Sequence, residues 1–100
     1  MRHRTAEDDA AFVGLGTAIV GLRKGRDLTP DQLAERMGED DAAGLTRVER
    51  GEANADWAFL RAAAKALGVP LVRLLELAEE QAPGEGGDEW RAWTREAERR

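Results

Sequence analysis

The stretch Leu28-Thr29-Pro30-Asp31-Gln32-Leu33-Ala34-Glu35-Arg36-Met37-Gly38 leaves its backbone little choice. Thr29 is placed to cap a helix. Pro30 suits the first helical position, where a missing N–H costs nothing, and Gln32 completes a Thr-x-x-Gln box that reaches back to the cap. Leu33 and Met37 lie one turn apart on an inner face. Gly38 takes the left-handed conformation that ends a helix. The pattern predicts a short helix of about two turns with firm limits at both ends.

Similar pieces flank it. Residues 1–9 are polar, with Arg2, His3 and Arg4 before Glu7, Asp8 and Asp9. A first helix is expected to start near Asp8 or Asp9, either of which suits a cap. Phe12, Leu15, Ile19 and Leu22 share one helical face. Gly14, Gly16 and Gly21 lower that helix's intrinsic propensity, so packing has to hold it. Arg23, Lys24 and Arg26 sit where the helix dipole favours cations. After the acidic turn Glu39-Asp40-Asp41, one Asp of which should cap, residues 42–50 read as a third short helix. Its Leu45 and Val48 point inward and Gly51 ends it. Asp56 caps a fourth helix over 57–67 with Trp57, Leu60, Ala64 and Leu67 inward, stopped by Gly68. Pro70 opens a fifth helix that reaches about Gln81.

Pro83-Gly84-Glu85-Gly86-Gly87 then breaks the pattern. Trp90, Trp93 and Ala97 recur at helical spacing in the last segment. The chain therefore divides into a polar arm (1–9), a helical domain (10–82), a flexible linker (83–88) and an amphipathic C-terminal segment (89–100). The expected class is all-α, five helices with a possible short sixth. The expected core is Phe12, Leu15, Ile19, Leu22, Leu33, Met37, Leu45, Val48, Leu60, Leu67, Leu71 and Leu75.

Composition narrows the function. The 100 residues contain no Cys and one His, so neither a thiol nucleophile nor a Cys- or His-built metal site is expected. There is no Gly-rich phosphate loop, and the carboxylates are spread over helix faces. An enzyme is not expected, nor a cofactor. No apolar run approaches the ~18 residues of a membrane span, and the charged N-terminus lacks the apolar centre of a secretory signal. A cytoplasmic protein is expected. The net charge of −5 is the wrong sign for a non-specific polyanion binder.

From Leu15 to Leu75 the chain resembles the lambda-repressor/Cro-like (XRE-type) helix-turn-helix family. The resemblance rests on LTPDQLAERMG at 28–38, LTRVERG at 45–51 and ALGVPLVRLL at 66–75. It implies a DNA-binding transcriptional regulator whose third helix reads the major groove of double-stranded DNA. By position, Ala42, Ala43, Gly44, Thr46 and Arg47 fall where members touch base edges, and Arg47 suits a bidentate bond to guanine. Arg50 falls where members often touch phosphate. Arg23 and Glu49 match a pair that ties the first helix to the third in some members. Such a pair is expected at the surface, where it is worth only ~0–1 kcal/mol.

The chain also departs from the family. The turn holds one residue more than members usually have. Pro30 replaces a phosphate-contacting Gln, and Glu39-Asp40 replaces a hydrophobic-Ser pair. Ala42, Ala43 and Gly44 replace polar readers. Glu52 and Asp56 put acids in the loop after Gly51. These changes favour an alternative: a protein-interaction module on the same fold with weak or no DNA binding. Trp57 is expected in the core. Val72 and Leu77, left over on the fifth helix, form with Trp90 and Trp93 a possible interface for a homodimer or a protein partner.

Overall fold

Thr5, rather than Asp8 or Asp9, starts the first helix. In the computed structural model, which describes residues 4–83, the Thr5 hydroxyl accepts from the Asp8 N–H at 3.1 Å. The Asp8 carboxylate in turn accepts from the Thr5 N–H at 3.0 Å. This reciprocal box satisfies two backbone donors and sets α1 over Ala6–Gly25. Residues 6–9 thus belong to the helix and not to a polar arm. The same device, Thr29 with Gln32, starts α2 (Pro30–Arg36) as the sequence predicts. Then follow α3 (Ala43–Glu49), α4 (Trp57–Leu67) and α5 (Leu71–Gln81). The described residues contain no strand, and the architecture is all-α. None of the described helices is long and apolar enough to cross a membrane. Arg2, His3, Trp90, Trp93 and nearly all of the expected linker and C-terminal segment lie outside the described residues.

One core holds the five helices together. Ile19, Leu33, Leu45, Leu67 and Leu74 are its fully buried side chains, and Leu15, Leu28, Val48 and five alanines complete it. Phe12, Leu22, Met37, Leu60 and Leu71 pack against it half-buried. Two expectations fail. Leu75 is exposed, and Leu74 takes the central place. Leu71, Leu74 and Ala78 follow the i, i+3, i+7 spacing of one helical stripe, and Leu75 lies about 100° round from Leu74.

Trp57 is also outside, with 63% of its surface exposed. It is the first residue of α4, directly after the Asp56 cap. Helical side chains lean toward the N-terminus, and at the first position there is no preceding turn for the indole to cover, so it stays out of the stripe formed by Ala63, Ala64 and Leu67.

The glycines of α1 have a use that propensity alone hides. A Cβ on Gly14 would collide with the Ala78 carbonyl oxygen, and one on Gly16 with the carbonyl oxygens of Glu49 and Val48. Both neighbours are backbone and cannot swing away. Gly14 lets α5 close on α1, and Gly16 lets the end of α3 do the same.

Candidate nucleic-acid interface

Seven residues form α2 and seven form α3, both too short to persist alone. What fixes α3 is its attachment to α1. Leu45 and Val48 are buried, while Ala43, Gly44, Arg47 and Arg50 face solvent. Ala43, Arg47 and Arg50 are spaced as one helical face. Thr46 is half-buried at the edge of that face. Ala42 is half-buried and packs against the core, so it stands back from Ala43. Of the positions matched to DNA contact, the fold thus brings Ala43, Arg47 and Arg50 together on the open side, with Thr46 beside them.

The carboxyl end of α3 is clamped. The Arg23 Nε donates to Glu49 Oε2 at 2.8 Å and its Nη2 to Oε1 at 3.4 Å, while Nη1 donates to the Leu28 carbonyl at 2.9 Å. Arg23 therefore joins α1, the α1–α2 connection and α3. The two side chains retain only 11% and 7% of their exposure. The pairing expected from the resemblance is present, but its surface setting is not: it is a buried ion pair, in which Nη1 also finds a partner.

Arg4 adds a second tie. Its Nη2 donates to the Gly51 carbonyl at 3.1 Å, its ring-facing guanidinium lies 4.5 Å from the centre of Phe12, and its Nε stands 2.9 Å from Asp9 as a charge contact. Arg4 is thereby held on the domain instead of lying in a free arm. Gly51 itself turns the chain: its N–H donates to Val48 and the N–H of Glu52 to Arg47, the paired bonds of a left-handed helix stop.

The amino end of α3 is held more lightly. Ala42 stands at the cap and has no side-chain bond to give. One residue earlier, the Asp41 carboxylate accepts from the Ala43 N–H at 2.9 Å, the exposed contact that replaces a true cap. Between Asp27 and Asp56 the sequence carries nine carboxylates against three arginines, Arg36, Arg47 and Arg50. A groove of about 580 Å³ opens beside this turn, with Met37, Phe59 and Ala62 in its walls and Glu39 and Asp56 on its edge.

Leu28 is a core residue that reading for periodicity passes over. It precedes the Thr29 cap, and Leu33 is the fourth residue of α2. These are the two positions of a hydrophobic staple, and both are buried. On α5, Val72 is 64% exposed, whereas Leu77 is half-buried and packs against the core. The two lie five residues, about 140°, apart around the helix, and so do not make one continuous patch.

Two short helices joined by a glycine-led turn, with the second locked to a helical frame, define a helix-turn-helix protein. The helix-turn-helix domain family matches residues 15–77, and the chain belongs to that family. Two solved structures of the clp gene regulator ClgR from Corynebacterium glutamicum are similar. One is 24% identical, covers 75% of this chain and 96% of that chain, and has a TM-score of 0.68. The other is 22% identical, covers 89% of this chain and 87% of that chain, and has a TM-score of 0.68. At these identities the likeness is one of fold. No curated protein matches the sequence.

Proposed function

We propose that this protein is a sequence-specific DNA-binding transcriptional regulator, cytoplasmic and without catalytic activity, that lays α3 in the major groove. One observation carries the reading: α3 is anchored by its inner face and carboxyl end, so that Ala43, Arg47 and Arg50 stand outward together on a rigid base. In the proposed complex Arg47 contacts guanine, Thr46 a base or phosphate, and Arg50 phosphate, while Ala42 and Ala43 pass close to base edges. A homodimer completes the reading, with Val72 on the exposed side of α5 at the two-fold interface.

The test is binding to the DNA upstream of the protein's own reading frame, measured at two salt concentrations. Specific binding that weakens with salt supports the proposal. Scattering mass measured at ~100 μM, well above a micromolar dissociation constant, tests the dimer; a monomer there removes it.

The acidic turn favours a second reading, in which a basic segment of a protein partner docks on the groove beside Met37 and Phe59. Glu39→Lys separates the two. It tightens DNA binding if the turn lies near phosphate. If neither the native chain nor this variant binds DNA in low salt, the docking reading takes its place.

A further inference from the structure

α1 and α5 meet at Gly14, and a groove of about 250 Å³ runs along their seam. Thr17, Ala18, Gly21 and Leu22 line it from α1, and Leu77 and Gln81 from α5. Gly21 forms a notch in this wall, since a Cβ there would meet nothing within 4 Å. We propose that the groove is the seat of the Trp90–Trp93 segment of the same chain.

Three observations lead to this occupant. The first is scale: about 250 Å³ is the size of a side-chain seat and not of a bed for a whole helix, roughly 10 Å across, and a flat aromatic ring suits a seam beside a glycine notch. The second is place. Gln81 is both the last residue of α5 and a wall of the groove. The chain leaves the domain at the groove's mouth, and 17 residues follow Pro83. The nine steps from Gln81 to Trp90 span about 30 Å when extended, and Leu77, which also lines the groove, is only one turn back along α5. The sequence between includes Gly84, Gly86 and Gly87, a residue type compatible with a chain reversal.

The third is the chemistry of the segment. Trp90 and Trp93 are three residues apart, the spacing of neighbours on one helical face. Aromatic rings bury more apolar surface than any other side chains. A short tether holds them at an effective concentration in the millimolar range. A second copy present at micromolar concentration does not compete with that, so docking occurs within one chain. The seat and the exposed Val72 lie on different sides of α5, and filling one leaves the other open. Occupation of the seat does not depend on DNA binding.

The experiment uses the full chain carrying Trp57→Phe, so that Trp90 and Trp93 are the fluorophores that remain among the sequence's three. A synthetic peptide of residues 84–100 is the unbound reference. The expected result is emission to the blue of the peptide's and acrylamide quenching several-fold weaker, both independent of protein concentration. Gly21→Phe fills the notch, and Thr17→Arg places a charge on its exposed lip. Each should return emission and quenching to the peptide's values, and Gly21→Ala should not. Circular dichroism confirms that each variant is folded. Peptide-like emission from the parent chain overturns the proposal, as does a blue shift that survives both groove variants. A shift that fades on dilution assigns the seat to another copy's tail and overturns it equally.

Discussion

The two ends of α3 are built differently. At the carboxyl end Gly16 admits the helix against α1, Arg23 grips Glu49, and Arg4 holds the Gly51 carbonyl. At the amino end there is a single exposed side-chain bond, from the Ala43 N–H to Asp41, the last of three consecutive acids. Orientation is thus set by the buried inner face and the carboxyl end, while the amino end adds only the exposed Asp41 contact. A helix held in this way keeps its outer face aimed without needing contacts on that face. In the proposed DNA complex the acidic turn would burden the amino end, by repelling phosphate, and leave the clamp untouched.

The largest expected effect tests the clamp. Glu49→Ala strands the Arg23 guanidinium in a nearly closed site and should cost about 3–5 kcal/mol in urea unfolding. The paired replacement Arg23→Met with Glu49→Leu should recover most of that loss, because it removes both charges. If Glu49→Ala costs under about 1 kcal/mol, the pair behaves as a surface bridge and the two ends are alike.

Gly16→Ala comes next. Its methyl group must displace the α3 backbone, and a loss of about 1–3 kcal/mol is expected. Gly21→Ala, on the same helix but against open space, should stabilise by up to about 1 kcal/mol. The opposite signs would separate close approach from propensity, and equal signs would remove the packing argument.

The outer face is probed by binding. Arg47→Ala should cost about 1–3 kcal/mol on a preferred site and relax choice at one base pair. Arg50→Ala should weaken all sequences alike and lower the salt slope by about one. The smallest effect belongs to the amino end. Asp41→Ala should cost about 0.5–1 kcal/mol, at the low end for capping contacts. A loss as large as that of Glu49→Ala would mean that the amino end is anchored too.

Legibility in the sequence follows the range of the interactions. The limits of α2 are readable because Thr29, Pro30, Gln32 and Gly38 act within a few residues of themselves. The start of α1 is written in the same language, Thr5-x-x-Asp8, but the acids at Asp8 and Asp9 offer rival caps that periodicity does not resolve. Leu28 is likewise recoverable, through its staple position. Other features depend on what sits across the core. Nothing local separates Leu74 from Leu75, or says that Gly14 and Gly16 face the backbones of other helices. Resemblance pairs Arg23 with Glu49, yet their burial follows from how α1, α2 and α3 converge. Trp57 is misplaced by periodicity because a spacing rule takes no account of where a helix begins. For the candidate site, the outer positions of α3 are visible in the sequence, whereas the setback of Ala42 emerges only from packing.

The Arg23 clamp bears on how such a chain drifts over generations. Lysine at position 23 keeps the charge but offers no planar fork to engage Glu49 and the Leu28 carbonyl together. A lineage that changes one partner first passes through a form that has lost much of a domain's usual 5–15 kcal/mol margin. Positions 23 and 49 are therefore free to change as a couple, or after compensation elsewhere, while Ala43, Gly44 and Arg47 on the open face can change one at a time. Selection can rewrite the outer face of the helix without disturbing how it is aimed.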